Sequence, residues 1–113
     1  MVRILLTIID DTDKAHSIAT CLVSENLAAC VNIIPKVTAV YKWNDVVENT
    51  VENLLIIKTT SDREEALIER VQVLHTYDIP ELISCAVDGG LERYLDWIIQ
   101  ETRPGKEPNG EEL

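Results

Sequence analysis

Few side chains in this sequence combine a reactive type with a useful setting, and the chemistry they offer is metal binding. Cys30, in the run A-A-C-V, carries a soft sulfur that as thiolate is a ligand for Cu(I). His75, in the run H-T-Y-D-I-P-E, places an imidazole near the carboxylate of Glu81, a pairing that suits Cu(II) or Zn(II). Each has a plainer reading: Cys30 as a core cysteine on a strand, His75 as a histidine at a helix end that meets the last carbonyls. A closed metal site needs three or four ligands, so Cys30 and His75 would have to be joined by groups from other subunits. Lys58 interrupts an apolar run, and Glu81 follows Pro80 at a strand entrance. They are read as an ion pair in a cleft between subunits, either structural or part of a small-ligand pocket. His16 is read as solvated.

Catalysis finds little support. No Ser or Cys sits in an elbow motif with an indicated His partner. An anion-binding enzyme of this size would need backbone amides and an Arg at the first strand-to-helix turn. Here that turn reads Asp10-Asp11-Thr12-Asp13, which repels phosphate. The chain is expected not to be an enzyme.

The acidic turn is typical of the whole. Twenty Asp and Glu face ten Lys and Arg, a formal charge of −10 spread along the chain. Such a field repels nucleic acid and anionic lipid, so neither is an expected partner, and it concentrates cations. Cys21, Cys30 and Cys85 are odd in number, widely spaced and set in apolar segments. They form neither a disulfide framework nor a C-x-x-C motif and are read as buried free thiols. With no secretory leader pattern at Met1–Ile9 and no apolar stretch of about 20 residues, the expected location is cytoplasmic.

The elements that must position these residues can be read from periodicity. Val2–Ile9 is nearly continuous in apolar residues and reads as an inner strand. Asp10–Asp13 end it and cap a helix whose stripe is Ala15, Ile18, Ala19, Leu22 and Val23, with Asn26 as its stop. Ala28–Trp43 is a long strand segment interrupted at Pro35, where a bulge or an edge is expected. A turn around Asn44–Asn49 leads to a third strand, Val51–Thr60, pairing back as a hairpin. Ser61-Asp62-Arg63-Glu64 is the pattern of a capping box opening a second helix, with Ala66, Leu67, Val71 and Leu74 inward. A loop over Tyr77–Glu81, a strand at Leu82–Val87 and a short third helix follow, the last with Leu91, Tyr94, Leu95 and Ile98 inward. Residues 1–102 form one domain, and 103–113, rich in Pro, Gly and Glu, read as a flexible tail.

The order β-α-β-β-α-β plus a terminal helix predicts an α+β, ferredoxin-like fold with both crossover helices on one face of the sheet. Two consequences follow. A strand of about 15 residues is about 50 Å long, whereas a helix of about 14 covers only about 20 Å, so the hairpin must overhang its helices. Its tip carries Val37, Ala39, Val40, Tyr41, Trp43, Val46 and Val47. The helix-free face of the first strand is also apolar, because Val2, Ile4, Leu6 and Ile8 alternate with Leu5, Thr7 and Ile9. Surfaces of that kind point to self-association through strand edges and sheet faces.

Six segments in order, L-A-A-C-V-N-I-I-P (27–35), Y-K-W (41–43), L-I-I-K-T (55–59), A-L-I-E-R-V (66–71), H-T-Y-D-I-P-E (75–81) and Y-L-D-W-I (94–98), give the chain a resemblance to the CutA, or divalent-cation tolerance, family. The resemblance runs from about Val2 to Thr102. It implies a ferredoxin-like subunit in a compact homotrimer, similar in architecture to the PII signalling proteins, and a link to tolerance of copper and other divalent cations. It implies copper or another divalent metal as the cofactor, with His75 and Cys30 as the candidate metal residues; Lys58 and Glu81 remain the candidate cleft residues from their own settings. Two positions depart from the family pattern: Thr76 stands where proline is usual, and Leu74 where some members have a second histidine.

Overall fold

A computed structural model describes residues 1–105, and its elements follow the expected order. They are β1 (Val2–Ile9), α1 (Thr12–Ser24), β2 (Cys30–Trp43), β3 (Val46–Thr60), α2 (Ser61–Leu74), β4 (Ile83–Ala86) and α3 (Glu92–Glu101). The four strands form one antiparallel sheet in the order β2-β3-β1-β4. This is the ferredoxin-like arrangement. Of the tail expected from Arg103 onward, residues 106–113 lie outside the described residues.

One face of the sheet holds the main core. Leu5 and Ile9 of β1 and Leu55 and Ile57 of β3 are fully buried against Ile18 and Leu22 of α1 and Leu67 and Val71 of α2. Each such side chain contributes roughly 1.5–3 kcal/mol on leaving water. The helix α1 starts where the acidic turn predicts: Asp11 is its N-cap and accepts from the Lys14 amide at 3.0 Å. It ends with Glu25 at the C-cap and Asn26 in the left-handed region at φ 61°, which satisfies the last carbonyls.

Three local expectations need correction. The capping box does not form: Thr60 is the N-cap of α2 without a side-chain bond, and Ser61 is already helical. Glu64, expected to reach back to the cap, instead accepts from Arg3 at 3.1 Å and from the Ser84 hydroxyl, tying α2 to β1 and β4. The hairpin turn spans two residues and not six. Trp43 pairs with Val46, and Asn44 and Asp45 both take positive φ, 50° and 64°, as a tight turn matched to strand twist requires. Leu91, expected inward, is 74% exposed at the N-cap of α3.

The break at Pro35 is present as a β-bulge between Ile34 and Val37, with Lys36 at φ 60°. Beyond it the hairpin overhangs, and the subunit measures 48 × 27 × 23 Å. The helix α3 packs on the opposite face from α1 and α2, where Ile98 meets Val2 and Ala29 beside Tyr94, Leu95 and Trp97. Among the described residues no other element covers this face.

Candidate functional site

Register places the sequence-derived candidates. Cys30 pairs with Lys58, Lys58 with Ile4 and Ile4 with Cys85, so one row crosses all four strands on the face away from α1 and α2. Cys30 is half-buried, with its sulfur 3.9 Å from Asn32 Oδ1. The expectation that all three thiols are buried is corrected: Cys21 and Cys30 are half-buried, and Cys85, on a sheet edge, is exposed. Lys58 donates through Nζ to the Tyr94 hydroxyl at 3.1 Å, and Tyr94 stacks on Trp97 at 5.6 Å. The Tyr94 bond holds the Lys58 ammonium above its ordinary pKa, against a smaller opposing effect of burial.

Glu81 is exposed and lies two residues before Ile83, which pairs with Leu6. It therefore sits toward the far end of β1 from the row of Lys58, and the subunit does not bring the two together.

His75 is the C-cap of α2 and only 8% exposed. Its Nδ1 accepts from the Tyr77 amide at 3.0 Å, which leaves the proton on Nε2 to donate to the Ile8 carbonyl at 2.8 Å. Both ring nitrogens are thus engaged by backbone, and a metal at either would displace one of these bonds. Leu74, beside it, packs on the helix-side core. Cys30 lies in the row of Ile4 and His75 on Ile8, about 13 Å apart along the strand. Among the described residues, no group of three or more His, Cys, Asp and Glu is arranged to hold a metal ion. His16 is exposed, as expected.

Sequence reasoning missed one polar cluster. Glu52 is 7% exposed; its Oε1 accepts from the Tyr77 hydroxyl and from Thr50 Oγ1, both at 3.1 Å. The Tyr77 oxygen in turn accepts from the Asp10 amide at 3.1 Å. Burial, followed by the Glu52 charge, pushes the Tyr77 phenol well above its ordinary pKa. The one sequence signal was the Y-D-I-P-E loop, and nothing local points from it to Glu52.

The sheet also carries an apolar face. Cross-strand pairs put Ile4, Leu6, Leu54, Ile56, Ile34 and Ile83 on the face that α1 and α2 leave open, with Ile34 42% and Ile83 53% exposed. Tyr41, Trp43 and Val46 extend it along the hairpin, Trp43 being 64% exposed. Contiguous exposed apolar surface of this kind marks an interaction face.

Residues 3–101 match the family described as CutA1 divalent ion tolerance protein. This chain belongs to the CutA family. A divalent-cation tolerance protein CutA from Thermus thermophilus is 40% identical over 102 residues, covering 90% of this chain and 99% of the relative. A chloroplastic CutA protein from Arabidopsis thaliana is 41% identical over 95 residues, 84% of this chain and 52% of that one. The chain thus spans nearly all of the bacterial CutA relative but about half the length of the plant one. Among solved structures, a CutA1 from Thermus thermophilus superposes with a TM-score of 0.88 at 40% identity, covering 91% of this chain and all of that one. A CutA1 from Oryza sativa does so at 0.87 and 38% identity, covering 90% and 94%. In this CutA chain, no helix among the described residues is long and apolar enough to cross a membrane.

Proposed function

We propose that this CutA-family chain acts as a non-catalytic homotrimer in the cellular response to divalent metal ions, with copper as the ion bound. Family membership supports the link to divalent cations. The observation that carries self-association is the open aliphatic face from Ile83 across Leu6 to Ile56, continued along the hairpin. Leaving such a face in water costs roughly 25 cal/mol per Å² of apolar area, and a second and third copy offer the same surface in return. Within this reading Cys30 is the more available of the two proposed metal residues, since its sulfur carries no backbone bond while both nitrogens of His75 do. Three free thiols fit a reducing compartment, and a cytoplasmic site of action is proposed with them.

A second reading is favoured by the Lys58–Tyr94–Trp97 cluster. It puts an ammonium and stacked aromatic rings beside the open face, where a PII-like trimer would take up a small ligand or a protein partner at its subunit clefts, with Glu81 supplied by a neighbouring subunit. Native mass spectrometry with Cu(I) and Cu(II) added stepwise separates the two. A trimer that gains a fixed number of copper ions, fewer after Cys30→Ser, supports metal binding. A trimer that takes up only scattered, easily removed ions overturns it in favour of the cleft ligand.

A further inference from the structure

We propose that Tyr77 is a clasp that sets the direction in which the overhanging hairpin leaves the body of the subunit. The argument begins with a weak point in the sheet. The β1 ladder ends at the pair Ile9–Asn53, so beyond Asn53 the strand β3 has lost its inner neighbour. At the same level β2 is bulged: Ile34 pairs with Leu54 and Val37 with Glu52, and Pro35 and Lys36 share the space opposite Asn53. A discontinuity in both ladders at one level is a hinge, because backbone bonds that would hold the sheet rigid are missing on either side.

Side chains bridge that hinge. On the hairpin side, Glu52 Oε1 accepts from the Tyr77 hydroxyl; on the body side, the same oxygen of Tyr77 accepts from the Asp10 amide, just after β1. Tyr77 is itself held in place from the body, since its amide donates to His75 Nδ1 and His75 Nε2 donates to the Ile8 carbonyl. Asn53 Nδ2 adds a bond to the Ile9 carbonyl at 3.0 Å. The clasp is retained at a cost. Glu52 keeps its second oxygen, Oε2, buried and unpartnered among the described residues, a position that simple stability would fill with an apolar side chain. Trp43, Val46 and Val47 ride on the hairpin, so its direction decides where that apolar surface points.

Residual dipolar couplings of backbone amides, measured on the full chain, test the clasp by comparing hairpin residues 37–51 with the body of the same subunit. In the unaltered protein, hairpin and body share one alignment and one degree of order. In Tyr77→Phe, which keeps the ring and removes the hydroxyl, hairpin order falls relative to the body. Glu52→Met guards against misfolding, because it removes the acceptor together with the unpartnered buried oxygen. It gives the same loss of hairpin order while overall stability holds or rises. Hairpin couplings that still fit the body's alignment in both variants, or a loss of order shared equally by hairpin and body, overturn the proposal. The couplings are read without added metal, so the proposal stands or falls apart from the metal reading.

Discussion

Lys58 donates through Nζ to the Tyr94 hydroxyl at 3.1 Å, and this one bond joins β3 to α3 on the side of the sheet that α1 and α2 leave bare. The bond is the leading cause of the raised Lys58 pKa. A cation whose folded pKa is raised adds stability that is fully present below its unfolded value, ordinarily 10.5, and is lost as pH rises through the folded value. Tyr94→Phe should therefore return the Lys58 titration toward 10.5, seen by NMR of the Lys58 side chain. Below that pH the variant should be less stable by about 0.5 kcal/mol, at the low end for a hydrogen bond because the pair is partly solvated. The difference should close in strong alkali.

Glu64 makes the opposite prediction at low pH. The Ser84 hydroxyl first, and the Arg3 guanidinium second, hold its carboxyl below the ordinary value of 4.5. A depressed carboxylate contributes stability that is present above its unfolded pKa and lost as pH falls through the folded one. Glu64→Gln should cost roughly 0.5–1 kcal/mol at pH 7, as a partly exposed ion pair does, and nothing once the native carboxyl is protonated. Denaturant melts in a series from pH 7 downward check this, and a cost that does not decline as pH falls would place the role of Glu64 in packing and not in charge.

The same residue shows how far sequence carries. Element order, the bulge at Pro35 and four of the five stripe residues of α1 were legible because periodicity and proline chemistry are local, whereas Val23, expected inward, is exposed. Ser61–Glu64 looked like a capping box because the motif is local too, but Glu64 lies within reach of Arg3 and Ser84, which are distant in sequence and better donors than a backbone amide. The sites were less legible for the same reason. His75 reads equally as a metal ligand or a helix-end histidine until its two nitrogens are seen to meet Ile8 and Tyr77, and nothing local marks Glu52 as buried. Nothing in a single sequence says which distant group closes a hydrogen bond.

Thr7 is fully buried in the middle of β1, and its hydroxyl has no partner among the described residues. Its helix-side neighbours are aliphatic, and β1 pairs it with Leu55. Removing an unsatisfied buried hydroxyl while keeping the branched shape should be favourable, since the desolvation penalty disappears and the volume is retained. Thr7→Val is expected to stabilise the fold by about 1 kcal/mol, read as a higher urea midpoint with an unchanged slope.

The hairpin tip offers a gain of a different origin. Asn44 and Asp45 form the whole turn, both in the left-handed region, Asp45 at φ 64°. An L-residue with a side chain pays for that conformation, and Asn tolerates it better than Asp, while glycine adopts it freely. Asn-Gly is the pair that two-residue hairpin turns of this twist favour most. Against this stands the larger entropy that glycine gives the unfolded chain, which removes part of the benefit. Asp45→Gly should therefore stabilise by about 0.5 kcal/mol and slow amide exchange between Val40 and Asn49, at the end of the hairpin remote from the core. Because β1 pairs with β3 only as far as Asn53, the exchange effect should be confined to the hairpin, and β1 amides should be protected as before.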